Sequence, residues 1–286
     1  MRLPLFMPHI FLRIYKKSIL VFCLPFFLLP FFKKRIGEQY HVGFYKKIKL
    51  LFQMIRNVRT IPTASHFLEH LVMVTKILSI PASQEGVIIE CGSYKGGSTA
   101  TLSLVSALCK RQLYIFDSFE GLPFIQKRDK KHLLFNVHEI HSYTEAEWRG
   151  SLQEVQRNIL KYGNLSVCNF QKGYFNKTLP IFKKKVVFIF VDVDLTDSLE
   201  TCLKWLWPLL QEQCYFFTHE ANHMEIASVF FDKEWWYTHF HSDPPGLVGA
   251  GNGVGLFPQK SFFGSPLGYT IKNPEVYLFK EISQKG

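Results

Sequence analysis

Gly86-Val-Ile-Ile-Glu90-Cys-Gly92-Ser-Tyr-Lys-Gly96-Gly97-Ser98 is the stretch on which the fold is decided. Val87, Ile88 and Ile89 form a short β-branched run bounded by Gly86, which reads as a buried strand. An acid closes the run, and Gly92 then allows a tight turn and a close backbone approach that a Cβ would obstruct. Gly96 and Gly97 stand at the entrance of a helical stretch from Ser98 to Lys110, with Ser98 or Thr99 as its cap. The spacing is not that of a dinucleotide fingerprint, and no Gly-Lys-Ser/Thr follows, so a nucleotide phosphate loop is excluded.

Short apolar runs and helical patterns alternate on either side. A helix is expected over 65–80, stopped by Pro81. Strands follow at 113–116, 165–170, 186–191 and 214–218, with a final one at 276–279. Helices are expected at 144–162, where Thr144 and Glu147 have capping-box spacing, at 197–210 and at 221–231. This alternation predicts an α/β fold with a mostly parallel, doubly wound sheet. In such sheets ligands lie beyond the carboxyl ends of the strands. Topology alone therefore selects Glu90, Asp117, Asp192 and His219-Glu220, the residues that end the apolar runs.

The charge is unevenly placed. The 286-residue chain carries a net +11, with 47% hydrophobic and 20% charged residues, so a packed core is expected and wholesale disorder is not. Residues 1–60 hold 12 Lys/Arg and a single acid, Glu38, while the remainder balances at 22 basic and 22 acidic residues. A balanced main domain has no electrostatic footprint for nucleic acid. The excess surrounds a 14-residue apolar run, 19–32, which contains Pro25 and Pro30 and is flanked by Lys16-Lys17 and Lys33-Lys34-Arg35. The run is too short and too proline-broken for a straight spanning helix. Residues 1–35 are thus expected to lie on a membrane surface, at the inner face of a cytoplasmic membrane, with the basic flanks on anionic headgroups. Residues 36–85 are expected to form a helical extension, and 86–286 the main domain. Six scattered cysteines without a Cys-x-x-Cys fit reduced thiols.

Asp117, at the end of the second strand, is placed to accept hydrogen bonds from ribose hydroxyls. With Asp117-Ser-Phe-Glu120-Gly-Leu-Pro123, Gly173-Tyr-Phe-Asn-Lys-Thr-Leu-Pro180 and Asp192-Val-Asp194-Leu, the glycine loop completes four motifs in order. Together they resemble the macrocin O-methyltransferase family, over about 63–231. The resemblance implies a Rossmann-like class I methyltransferase fold and O-methylation of a hydroxyl on a sugar or glycan-like small molecule. It implies that Glu90, Gly92, Ser93, Gly96, Gly97, Asp117 and Ser118 bind S-adenosylmethionine, with Gly173 near the adenine end.

Metal-bound members of that family place a cation on an Asp after the fourth strand and an Asp-Asp pair after the fifth. Asp192 matches the first position, whereas His219 and Glu220 stand at the pair. Asp192, His219 and Glu220 form a candidate divalent-metal set that would favour a softer ion than Mg²⁺. Alternatively no metal is used, and Asp192 and His219 are the catalytic pair, with His219 as general base. Two other functions are open. The fold could be a non-catalytic module that binds S-adenosylmethionine or a partner. His219-Glu-Ala-Asn-His223 also reads as the His-Glu-x-x-His of zinc peptidases, although it follows directly on a strand. Of the remaining features, 244–255 is a glycine-rich loop of either substrate-side or connecting role. Trp235, Trp236 and Tyr237 are core or sugar-stacking candidates. Lys127 to His132 reads as the solvated face of a loop.

Overall fold

The computed structural model describes residues 24–134, 139–250 and 265–273. Its centre is β6 (Val186–Val191), whose six residues are all buried, as a strand covered on both faces requires. β1 (Val87–Cys91) lies parallel on one side of it and β7 (Leu210–Thr218) on the other. Beyond β1 come β2 (Leu113–Asp117) and β5 (Cys168–Lys172), both parallel. β8 (Gly268–Ile271) closes the far edge antiparallel to β7, giving the order β5-β2-β1-β6-β7-β8. The expected doubly wound, mostly parallel sheet is present.

Helices connect the strands. α1 (Phe44–Thr60) and α2 (Phe67–Ser79) precede the sheet and pack with α3 (Gly97–Leu108), which joins β1 to β2. α1 buries Lys47, Leu50, Met54 and Asn57, a stripe at helical spacing, and Asn57 Nδ2 donates to Thr101 Oγ1 of α3. α4 (Leu152–Tyr162), the short α5 (Phe175–Thr178) and α6 (Thr196–Leu206) make the later crossovers. α7 (Met224–Val229) and α8 (Lys233–Phe240) follow β7.

Several boundaries differ from the expectation, each for a local reason. α3 is capped by Gly96 at φ 88° rather than by a hydroxyl, because the Ser98 side chain donates to Glu90 Oε1 at 2.6 Å. Thr144 N does bond Glu147 Oε2, but the helix starts only at Leu152 with Ser151 as cap. Gly150 intervenes, lying so close to Tyr94 that a Cβ would sit 1.9 Å from its carbonyl oxygen. The expected helix over 221–231 is shortened to α7, and a separate helix, α8, begins beyond it, capped by the Asp232 side chain. A hairpin of β3 (Lys131–Leu134) and β4 (Glu139–Ser142) and the edge strand β8 are additions. The strand expected at 276–279 lies outside the described residues, as do residues 251–255 of the glycine-rich loop. Of that loop, Gly246 N bonds Phe230 O, and Val248 bridges Tyr269.

The loop expected to be a solvated face does expose Lys127, Arg128, Lys130 and Lys131, but it is also pinned to α6. Asp129 and His132 are fully buried, and Asp129 accepts from Thr196 N, Asp197 N and His132 Nε2. A carboxylate at a helix N-terminus satisfies otherwise orphaned donors there. Arg128 adds ion pairs to Asp197 and Glu200.

Residues 24–32 are helical, and Phe27, Phe31 and Ile36 join the core. Phe26 and Leu29 are exposed. Residues 1–23 lie outside the described residues. Among the described residues no helix is long and apolar enough to cross a membrane. The five described cysteines are free thiols.

One contact fixes the sheet's carboxyl edge. Gly92 N donates to Phe116 O and Asp192 N to Cys91 O, so the chain leaving β1 passes against the chain leaving β6. Gly92 has φ 84°, and a Cβ there would stand 1.8 Å from Asp192 O, a backbone atom that cannot rotate away. Gly92→Ala is therefore expected to destabilise the protein by about 3 kcal/mol or more in denaturant unfolding; an unchanged midpoint and slope would contradict this packing.

Candidate functional site

A cavity of about 900 Å³ opens where β1 and β6 part, the switch point at which doubly wound sheets bind ligands. One half of its wall comes from the ends of β1 and β2. Gly92, Ser93, Asp117 and Ser118 line it there. Asp117 Oδ2 accepts from Ser93 N at 2.6 Å and Ser93 Oγ at 2.8 Å, and Oδ1 accepts from Phe119 N at 2.7 Å. Burial raises the Asp117 pKa, with these donors offsetting it. The residues after Asp117 form a compact turn in which Ser118 Oγ donates to Gly121 O and accepts from Glu120 N. Gly121, at φ 90°, lies against Ala146 O, which a Cβ would meet at 2.5 Å. This explains the motif: the turn is held, and the Asp117 carboxylate faces the cavity in a fixed orientation.

The other sequence-selected residues stand behind this wall. Glu90 is fully buried, and Ser98, which does line the cavity, separates it from the opening. Burial pushes the Glu90 carboxyl up to about 8, and the Ser98 and Thr99 hydroxyls offset this only in part. Gly96 and Gly97 pack against Val155 and Thr63, and Gly173 N donates to Asp117 O. These three glycines shape the wall without lining it, whereas Tyr174, next to Gly173, lines it.

The second half of the wall comes from the ends of β6 and β7 and is dominated by charge. His219 Nδ1 lies 3.5 Å from Asp192 Oδ1, and Nε2 lies 3.2 Å from Glu69 Oε2. Burial alone would depress the imidazole, but the Asp192 and Glu69 carboxylates override it and hold His219 well above its ordinary pKa. Both nitrogens thus face carboxylates in an imidazolium, which leaves no free lone pair for a general base in this state. Burial works to raise the Asp192 carboxyl, yet the adjacent His219 charge holds it below the ordinary range. Glu220 is buried behind them and is pushed well up, by burial first and then by Asp192 and Asp194. Its Oε1 has no hydrogen-bond partner, and Oε2 accepts from Thr218 Oγ1 at 3.0 Å. One ligand atom each from Asp192, His219 and Glu220 lies within 4.8 Å of the others. A repelling carboxylate pair, an orphaned buried oxygen and an imidazole are a donor set that a divalent cation would satisfy.

Two residues of this half lie outside the set that ends the apolar runs. Glu69 belongs to α2, in the extension before the main domain. There it caps the helix through His66 N at 2.7 Å while also reaching His219. Its capping-box spacing from His66 is legible; its reach across 150 positions is not. Asp194 lines the cavity with a backbone φ of 61°, a conformation rare outside glycine. Burial and then Asp192 push its carboxyl up to about 7, with His219 and Tyr143 offsetting this in part.

His223 does not join His219. Residues 219–223 form the strand end and a turn rather than a helix, and His223 Nδ1 lies 3.2 Å from His132 Nδ1 and 3.1 Å from Tyr143 Oη. Burial lowers the His223 pKa to about 3. Since a zinc-peptidase motif needs both histidines on one helical face, that reading fails on geometry. Of the three aromatic candidates, Trp236 is core, Tyr237 is exposed, and Trp235 lines the cavity stacked on His239.

Glu90 makes the stability of the ligand-free protein pH-dependent. Its pKa is raised in the folded state relative to about 4.5 unfolded, so its contribution is full below pH 4.5 and is lost as pH rises through 8. Glu90→Gln removes that slope, so the variant's melting temperature minus the wild type's should grow from pH 5 to pH 8, by about 1.4 kcal/mol of relative stability per pH unit. A difference that does not change with pH would contradict the buried carboxyl.

The comparisons with known proteins agree with this architecture. The family model for macrocin O-methyltransferase matches residues 68–228. Among solved structures, the O-methyltransferase NovP superposes with a TM-score of 0.57 at 15% identity, over 79% of this chain and 97% of NovP. The calicheamicin methyltransferase CalS11 gives 0.51 at 13% identity, over 79% of this chain and 92% of CalS11. No curated protein matches the chain. The family model spans more than half of the sequence and includes all four strand ends that build the cavity, so the chain belongs to the macrocin O-methyltransferase family of S-adenosylmethionine-dependent methyltransferases.

Proposed function

We propose that this protein methylates a hydroxyl of a sugar or glycan-like small molecule. S-adenosylmethionine sits against the β1–β2 half of the cavity and the acceptor against the β6–β7 half. The observation that carries this is the division of one cavity into a turn-held carboxylate wall and a charge-dense wall. S-adenosylmethionine, when bound, supplies an electrophilic methyl group for in-line displacement. Asp117 accepts hydrogen bonds from its ribose hydroxyls, and Ser93 keeps that carboxylate aimed. The buried Glu90 favours a positively charged ligand nearby, because its own ionisation is otherwise suppressed.

Asp192, His219 and Glu220 would hold a divalent cation, which when bound makes an acceptor hydroxyl more acidic. In that arrangement His219 presents Nδ1 and keeps its Nε2 proton on Glu69, the partnership that orients ligating histidines. Asp194 faces the cavity beside this set and takes the proton that leaves the hydroxyl. Asp192 and His219 thereby assist proton removal by positioning the acceptor rather than by His219 acting as the free base. Trp235 offers an apolar face against which a sugar ring can stack. Residues 1–35 are assigned to the inner membrane surface, on the strength of the lysine and arginine flanks of their apolar run.

Turnover against a panel of nucleotide sugars and glycosides, with label in the transferred methyl group, tests this reading. Asp194→Asn and His219→Ala should each lower kcat by about 10²-fold or more, with affinity for S-adenosylmethionine unchanged. A chelator should reduce turnover, and Mn²⁺ should restore it. Methyl transfer that is indifferent to both substitutions would contradict the assigned roles. Cofactor binding with no transfer to any hydroxyl acceptor would favour a non-catalytic module.

A further inference from the structure

The excess positive charge has a place in the fold. α1, Phe44-Tyr-Lys-Lys-Ile-Lys-Leu-Leu-Phe-Gln-Met-Ile-Arg-Asn-Val-Arg-Thr60, contains five cations and no acid. Its buried stripe packs on the domain. Its opposite stripe, Tyr45, Lys49, Phe52, Arg56 and Arg59, steps by 4, 3, 4 and 3 residues, and all five are exposed. This stripe is not the polar face of an ordinary surface helix. Tyr45 is 87% and Phe52 67% exposed, and the charges between them are of one sign. Arg56 leans on Tyr162, but no ion pair neutralises any cation of the stripe among the described residues.

The neighbouring helical segment continues the pattern. Phe32 meets Phe44 at 5.3 Å between ring centroids, which joins residues 24–32 to the start of α1. That segment exposes Phe26 and Leu29 and is followed by Lys33-Lys34-Arg35. Across 24–60 there are eight cations against one acid, Glu38, and five of the fourteen large exposed hydrophobic side chains of the described residues. Exposed aromatic side chains interleaved with unpaired cations are what an interfacial helix presents to anionic lipid. The rings enter the headgroup boundary and the cations meet the phosphates. A duplex-reading helix carries polar groups for base edges among its cations, whereas this stripe alternates its cations with Tyr45 and Phe52 and adjoins Phe26 and Leu29, side chains suited to a headgroup boundary. The stripe also ends near the site, since Arg59 is four residues from Thr63 on the cavity wall.

We infer that the exposed face of α1 docks the protein on an anionic bilayer surface, with Lys49, Arg59 and Lys46, which is exposed beside the stripe, on the headgroups and Tyr45 and Phe52 in the boundary. This extends the membrane address proposed for residues 1–35 to a second element of the fold and stands or falls separately from it.

The test is co-sedimentation of the full-length protein with vesicles of phosphatidylcholine alone or mixed with phosphatidylglycerol, at low and high salt. Wild type should bind the mixed vesicles and be released by salt. K46E/K49E should lower the partition coefficient by roughly tenfold or more, and F52A should weaken it further at high salt than at low. The control K127E/K130E, which changes charge equally on exposed lysines elsewhere, should have little effect. Unchanged affinity for S-adenosylmethionine shows that each variant is folded. Equal binding by K46E/K49E and wild type would overturn the inference. So would an equal loss from K127E/K130E, which would indicate net charge alone. A loss seen only with K16E/K17E would overturn it while leaving the address of residues 1–35 standing. Absence of wild-type binding to either vesicle would remove both.

Discussion

Everything at the functional edge depends on how closely the chain leaving β1 passes the chain leaving β6. Gly92 presents bare backbone to Asp192 O, and only a residue without a Cβ permits that approach. The contact places the first loop and Asp192 side by side at the point where the strand order reverses. From there the two walls of the cavity diverge, one toward β2 and Asp117, the other toward β7 and His219. A larger residue at 92 would move Asp192, and Asp192 is bound to His219. The geometry of both walls is thus set by one missing methyl group.

The second wall is a problem in charge compensation. Glu69, Asp192, Asp194 and Glu220 converge with a single cation, His219, among them. Two carboxylates share the imidazolium, and the other two are driven up in pKa by burial and by their neighbours. Such a cluster is unfavourable for the ligand-free fold and becomes favourable when further positive charge enters. The same logic applies across the cavity, where buried Glu90 resists ionisation. Stability is spent on both walls, and both walls favour ligands that bring positive charge.

Much of this is legible in the sequence. The apolar runs end at Glu90, Asp117, Asp192 and His219, and the fold brings all four strand ends to one edge, three of them onto the cavity wall. The periodicity of those runs and the rule for parallel sheets suffice for that. What is not legible depends on contacts far apart in the chain. Glu69 looks like an ordinary capping acid until α2 is packed beside β7. The cations of Lys127 to His132 are solvated as they look, but Asp129 and His132 among them are buried once Asp129 meets the N-terminus of α6. His219 and His223 look like a zinc pair until the turn at 220–222 sends their rings to different clusters. The hairpin of β3 and β4 has no alternating pattern to announce it, because His132 is buried by a polar network rather than by apolar neighbours. Asp194 stands two residues past the strand end that the apolar run marks, yet Leu195 holds the cap position of α6 and Asp194 faces the cavity.

The claim on which the rest stands is that the β1–β2 wall is the S-adenosylmethionine site and the β6–β7 wall is not. Calorimetric titration of S-adenosylmethionine into wild type, Asp117→Ala and His219→Ala tests it most directly. The account predicts one site per chain, weakened about tenfold or more by Asp117→Ala and little changed by His219→Ala. No binding to wild type, or binding that survives Asp117→Ala and is lost in His219→Ala, would contradict it.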